Sequence, residues 1–301
     1  MDADRQLRLP NSTLATRKRF LVIVRAGDKS LHPRWTNSPA TRSWDLVVSY
    51  YGRDPARYRD ASAQRIDDAG AKWPGLHRLL CRERHWRDYD YVWLPDDDLA
   101  IDEDGVNALF AAVAAHDLAL AQPALSWSSF YSHSVTIRHP SFRLRFTDFV
   151  EIMAPCFARR ALETCVETMA DSASGWGFDW TWPRQVGAAD RRCAVIDDVT
   201  VTHTRRIGGP NYDALRGTGI APGAEAQSLR RRHGIAPDER PRVLAAIDRA
   251  GARLDAAHPS EAQMLERLLR RDWAEFLASR NQLDLPTVTV PAPTPRWDLR
   301  W

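Results

Sequence analysis

Hydrophobic positions fall into two kinds of run along the chain. Residues 20–24 (FLVIV) are continuously apolar and largely β-branched, and the run closes at Gly27-Asp28. A short unbroken run of that composition, ended by a turn, predicts a strand buried on both faces. SWDLVVSYYG (43–52), YDYVWL (89–94), LALAQPAL (118–125) and CAVIDDVTVTHTR (193–205) predict four more strands. Between them the spacing turns helical: at Leu76, Leu79 and Leu80 within WPGLHRLLCRERHWRD, over 104–116 with Asp104 as N-cap, and over 158–170. Residues 130–153 lose the rhythm and read as three short extended pieces rich in aromatics. Strands alternating with helices at this pitch predict an α/β fold with a mainly parallel sheet flanked by helices.

The pattern changes after residue 206. IGGPNYDALRGTGIAPGA (207–224) is rich in Gly and Pro and reads as a loop or boundary, and 225–280 reads as helical. Met264, Leu265, Leu268, Leu269, Trp273, Phe276 and Leu277 make one apolar stripe there, with Arg267, Arg270 and Arg271 off it. The organisation expected is a loose polar segment at 1–17, an α/β domain at 18–215, a helical extension at 216–285 and a Pro-rich tail at 286–301.

Composition narrows the class. The 301 residues, 44% of them hydrophobic, suffice for a large core, and the net charge of +3 with interspersed charges gives no nucleic-acid footprint. Lysine stands only at 18, 29 and 72 among 42 basic residues. The four cysteines form no CxxC pair and read as free thiols. The N-terminal segment has no apolar core of a secretory signal, and no apolar run reaches the ~18 residues of a membrane span. A cytoplasmic protein is the expectation.

The candidate chemistry lies in YDYVWLPDDDLAID (89–102). A buried strand ends there in Asp96, Asp97 and Asp98, and open parallel sheets bind ligands at the carboxyl ends of their strands. Asp96 and Asp98, two apart in an extended segment, point to one side. Clustered carboxylates repel one another unless a cation or many donors compensate. Oxygen ligands of this kind suit Mg²⁺ or Mn²⁺, which clamps a diphosphate as leaving group. The alternative is a solvated acidic turn.

Context adds to that. KWPGLHRLL, YDYVWLPDDDLAID, QPALSWSSFYSHSVT, FVEIMAPCFARRAL, SGWGFDWTWP and VIDDVTVTHTR follow one another over residues 18–206. In that order they resemble domain-of-unknown-function family 707, regarded as glycosyltransferase-like. The DxD at a strand end is similar to that of GT-A-fold glycosyltransferases. The resemblance implies a GT-A-like, Rossmann-like fold. It also implies transfer of a sugar from a nucleotide-diphosphate sugar to a carbohydrate or lipid-linked acceptor, with Mn²⁺ (or Mg²⁺) held by Asp96, Asp98 and His203. Asp179 becomes the base that deprotonates the acceptor hydroxyl, which implies inversion at the anomeric carbon. Its alternatives are a helix N-terminal carboxylate or a pair with Arg184. His203 is otherwise a hydrogen-bonded histidine. Arg25, Gly27, Asp28, Lys72 and Asp97 fall to the nucleotide side, or else Arg25–Asp28 is an ordinary turn and Lys72 a surface lysine. Trp127, Tyr131, His133, Glu151, Trp176 and Trp180 are sugar-side candidates, or core aromatics. Glu151, inside an apolar run, requires a partner. The Arg-flanked stripe at 264–277 either docks on the core or lies on an anionic membrane surface. Two other functions share the aspartates or the fold: a nucleotidyltransferase or phosphohydrolase, and a non-catalytic carbohydrate-binding protein.

Overall fold

The computed structural model describes residues 18–36, 40–60, 63–206 and 219–282; the 1–17 segment, the 286–301 tail and most of the 207–224 loop lie outside them. The five apolar runs become β1 (Phe20–Ala26), β2 (Trp44–Tyr50), β4 (Tyr91–Trp93), β6 (Leu120–Leu125) and β9 (Cys193–His203). Between and beyond them lie β3 (Gln64–Asp67), β5 (Leu99–Ala100), β7 (Phe142–Thr147), β8 (Cys156–Ala158), β10 (Val243–Asp248) and β11 (Arg253–Asp255). The sheet order is β11-β10-β7-β9-β6-β8-β4-β1-β2-β3, with β5 paired to β9. β1 is parallel to β2 and β4, β2 to β3, and β6 to β9, while β7, β8 and β11 run against their neighbours. Most strands therefore point one way, as the sequence predicts.

Alternation along β1 shows how the layers form. Val22 and Val24 face one core cluster and Leu21 and Ile23 the other. The first cluster takes Val106, Leu109, Phe110 and Val113 from α2 (Glu103–Ala115), and Trp273 and Phe276 from α6 (Pro259–Gln282). The second takes Leu76, Leu79 and Leu80 from α1 (Lys72–Arg82), Leu162 from α3 (Arg159–Cys165), and Phe178 and Trp182 from α4 (Phe178–Val186). Leu229 of α5 (Pro222–Arg232) joins that second face.

Several local expectations change. The N-cap of α2 is Asp102, whose carboxylate accepts from Gly105 N at 2.8 Å, so the helix starts two residues earlier than Asp104 as cap would place it. The 158–170 helix breaks after Cys165 and continues as a 3-10 turn, Glu167–Asp171. The 130–153 region holds one strand, β7, and a 3-10 turn, Ser134–Thr136, instead of three extended pieces. The stretch read as helical throughout 225–280 contains the β10–β11 hairpin. It extends the sheet through β7, so these residues contribute strands as well as helices. Along α6, Leu265, Leu269, Trp273 and Phe276 are buried in the core, with Met264 and Leu277 left exposed. The stripe docks on the fold, and that docking accounts for its buried residues. Among the described residues no helix is long and apolar enough to cross a membrane.

One irregularity shapes the site. β9 pairs with β6 in register through Ile196, then resumes at Thr200, leaving residues 197–199 as a bulge. Beyond it the strand leaves for β5, with His203 opposite Leu99 and Thr202 opposite Ala100. The bulge is locked from beneath. Arg145 and Asp197, both fully buried, meet in a two-pronged pair (Nε–Oδ2 2.8 Å, Nη2–Oδ1 2.9 Å). The same guanidinium donates to the carbonyls of Val135 and Ile137, and Asp197 accepts from His139 N.

Candidate functional site

The three aspartates follow β4 at the carboxyl end of the sheet, and each is engaged differently. Asp96 takes Lys72 Nζ at 2.6 Å. Asp97 accepts from Gly27 N at 2.7 Å and from Arg205 Nη1 at 2.8 Å. Asp98 Oδ2 lies 3.2 Å from His203 Nε2, and its buried Oδ1 has no hydrogen-bond partner. The β5–β9 bridge brings Asp98 and His203 together across most of the domain's sequence.

His203 is oriented by its other nitrogen. Phe130 O lies 2.8 Å from Nδ1, and a carbonyl can only accept, so Nδ1 carries a proton; while the ring is charged, Nε2 donates to Asp98. Burial alone would lower its pKa, but Asp98, the Phe130 carbonyl and Asp96 together raise it to about 9. Two carboxylates, an imidazole with its far nitrogen already bonded and an orphaned buried carboxylate oxygen are a donor set that fits a divalent cation such as Mn²⁺. As placed, the ligand atoms of Asp96, Asp98 and His203 do not all lie within 4.8 Å of one another. Lys72 supplies the positive charge at Asp96 through Oδ1.

Behind the aspartates runs the 150–154 turn, which ties the parts together. Val150 N donates to Asp179 O, Glu151 N to Gln122 Oε1, and Ala154 N closes on Glu151 O, while Ile152 O accepts from Lys72 and Met153 O from Asp96 N. Glu151, read in the sequence as needing a partner, has a side-chain hydrogen bond with Ser132, while its buried Oε2 has none. Burial pushes its pKa up to about 7; His203 opposes this, while Asp179 and Asp96 add to it. Four groups from distant parts of the chain therefore feel one another's charge here.

Asp179 opens α4, following Gly175 and Gly177, whose positive φ makes the turn. Its Oδ1 accepts from Gly177 N (3.2 Å) and Trp180 N (3.1 Å). Burial nevertheless raises its pKa to about 7 against those donors and Arg230. A buried carboxyl poised near neutrality is suited to accept a proton. Arg184 bonds Glu239 and Trp180 O, so it is not Asp179's partner.

The remaining candidates divide. Arg25, Lys72, Asp96 and Asp97, with Tyr51 and Gly70, line a small cleft. Lys72 is therefore no surface lysine. The Arg25 guanidinium is held by Ser49, Asp68 and Gly70. Gly27 has no room for a side chain, since a Cβ would sit 2.9 Å from the Tyr51 ring. Asp28 binds the Tyr50 hydroxyl and the Arg53 and Asp54 amides, and so shapes the loop after β2. Trp180 packs edge-on to Phe149 beneath Arg230, whose Cζ is 4.5 Å from the ring. His133 also packs against Phe149, and burial, aided by Arg230, lowers its pKa to about 4, leaving it neutral. Trp176 is 37% exposed in the turn before Asp179. Trp127 and Tyr131 pack against Phe276, and Trp127 Nε1 donates to Arg138 O; both help to seat α6.

Two participants were not singled out from the sequence. Arg205 pairs with Asp97, and its signal was the THTR at the end of β9. Glu225 of α5 accepts from Ser172 Oγ, Ala173 N, Ser174 N and Ser174 Oγ, anchoring the loop that leads into the Asp179 turn. An isolated glutamate in a helical pattern carries no such signal.

Residues 143–235, less than half of the chain, match the model of a family described as a protein of unknown function, DUF707, which bears out the resemblance read from the motifs. No curated protein sequence matches the chain. Among solved structures it is similar to S. aureus TarS 1-349 in complex with UDP-GlcNAc, at 14% identity over 71% of each chain and a TM-score of 0.44. It is also similar to glucosyl-3-phosphoglycerate synthase from Mycobacterium tuberculosis in complex with Mn²⁺, UDP-glucose and phosphoglyceric acid, at 15% identity over 73% of this chain and 81% of that chain, TM-score 0.43. At those scores neither likeness carries an argument about this chain's chemistry.

Proposed function

We propose that the chain transfers a sugar from a nucleotide-diphosphate sugar to an acceptor hydroxyl, with inversion, using a divalent cation. The observation that carries the reading is the meeting of Asp98 and His203 at 3.2 Å beside a buried, unpartnered carboxylate oxygen, with Lys72 and Asp96 on the adjoining cleft wall. Asp96, Asp98 and His203 would hold Mn²⁺ or Mg²⁺, which when bound neutralises the diphosphate and stabilises it as a leaving group. Lys72, a compact point charge, turns from Asp96 to a phosphate oxygen as the donor enters. Asp97 keeps the Gly27 amide and Arg205 in place, and so fixes the floor of the donor cleft. Asp179, ionised above about pH 7, takes the proton of the attacking hydroxyl. Glu151, between Asp179 and the aspartates, orients the acceptor by accepting from one of its hydroxyls. Trp176, exposed in the turn before Asp179, offers a ring face to the sugar, and acceptors with carbohydrate character fit such a wall.

A thermal-shift titration with UDP and GDP, each with and without Mn²⁺, tests this on wild type and Asp98→Ala. A ligand of the folded state raises the melting temperature by mass action. The expected result is a rise with one nucleotide that requires Mn²⁺ and vanishes in Asp98→Ala. No rise with either nucleotide would return the aspartates to an acidic turn.

A further inference from the structure

We propose that His77, Cys81 and Glu167 form a second cation site, specific for a zinc-class divalent ion and separate from the aspartate cluster. His77 and Cys81 are four residues apart on α1, which puts them on one face, one turn above the other. The Glu167–Asp171 turn packs against that face and brings the third side chain. His77 Nε2 is 3.5 Å from Cys81 Sγ and 3.6 Å from Glu167 Oε2, and all three atoms lie within 4.8 Å of one another.

Those separations match a metal. Zinc bonds of about 2.0–2.3 Å at tetrahedral angles put neighbouring ligand atoms about 3.4–3.6 Å apart. The chemistry points the same way. The sulfur and the carboxylate converge on a single imidazole nitrogen. A nucleophile–histidine–carboxylate relay would place them on opposite ring nitrogens. One Nε2 proton satisfies only one of the two, whereas a cation at the common point satisfies all three. Thiolate, imidazole and carboxylate together favour Zn²⁺ over the Mg²⁺ or Mn²⁺ suited to the oxygen-rich cluster. Cys81 is exposed, so a fourth position is open to water, while Cys156, Cys165 and Cys193 are buried. The ion clips α1, which begins at Lys72, to the segment running on through Ser172–Ser174 toward Asp179. It therefore braces both walls of the candidate active site from outside.

Co²⁺ titration of the full-length, reduced, metal-stripped protein tests the site. Thiolate–Co²⁺ charge transfer in the near ultraviolet reports Cys81, and visible d–d absorption reports four-coordination. The expected result is one equivalent bound with a thiolate band, displaced by Zn²⁺, in wild type and equally in Asp98→Ala. Cys81→Ser loses the band, and His77→Ala and Glu167→Gln weaken binding at least tenfold; all three side chains are at least partly exposed, and circular dichroism checks their fold. Absence of the band in wild type overturns the proposal. So does a band that survives Cys81→Ser, or one indifferent to His77→Ala and Glu167→Gln, which would mean an ion on a lone thiol.

Discussion

Asp197→Ala removes the acceptor of a guanidinium that has no access to water. Arg145 makes four hydrogen bonds, two to Asp197 and two to the carbonyls of Val135 and Ile137. The substitution leaves the charge with two neutral acceptors at zero exposure and strands the His139 amide. Breaking a buried pair from one side costs about 3–5 kcal/mol, and a stranded buried amide contributes about 1–3 kcal/mol of such a loss. Urea denaturation followed by tryptophan fluorescence should therefore show a stability loss of about 3–5 kcal/mol with an unchanged slope. The double variant Arg145→Met/Asp197→Leu removes both charges but leaves the two carbonyls and the amide unpaired. It should recover part of the loss, not all of it. The bulge at 197–199 also aims the end of β9, so Asp197→Ala that remains folded should lose Mn²⁺-dependent nucleotide binding with His203 intact. A cost below about 1 kcal/mol would refute the reasoning, since it would mean that Arg145 finds water.

Asp179→Asn keeps an oxygen for the Gly177 and Trp180 amides, so it should fold and bind nucleotide normally while kcat falls about 10²–10⁴-fold; retained turnover removes Asp179 as base. In wild type, kcat should fall as pH drops below about 7, where Asp179 protonates. Glu151 has a folded pKa of about 7 against 4.5 for the free group. Its contribution to stability is fully present below about pH 4.5 and is lost as pH rises through about 7, by at most about 3 kcal/mol. Glu151→Gln should thus be more stable than wild type at pH 8 and equal to it at pH 4.5 in chemical denaturation; no difference at pH 8 contradicts the burial argument. Gly175→Ala, with a Cβ 1.9 Å from Trp73 Nε1 and φ of +80°, should cost about 2–4 kcal/mol and disorder the Asp179 turn, measured by denaturation and by loss of turnover.

The strands that sequence revealed are those buried on both faces, where an unbroken apolar run is required. β3 reads QRID and lies at the sheet edge, so it has little pattern to show. β10 reads VLAAID, an alanine-rich run that fits a helix as well as a strand, and its pairing with β7 decides the matter. β8 has three residues and exists because β4 and β6 flank it. The aspartates and His203 drew notice as carboxylates and an imidazole at strand ends, and Asp179 as a carboxylate after a Gly-flanked turn at a helix start. Lys72's partner, the Arg205–Asp97 pair and Glu225's grip on Ser172–Ser174 were not legible, because each depends on a contact between segments far apart in the sequence. Trp127 and Tyr131 were ambiguous because an aromatic that seats a helix looks, in sequence, like one that faces a sugar.

Lys72 also bears on how the chain is assembled. Asp98 and Thr204 are 106 residues apart, so during synthesis the three aspartates emerge long before His203 and Arg205. A cluster of like charges on a buried strand end would hold the N-terminal half open for that interval. Lys72, only 24 residues ahead of Asp96, is already made when the aspartates appear. The closure that costs less chain entropy comes first. An ammonium so near in sequence can offset the charge at Asp96 before His203 and Arg205 are made.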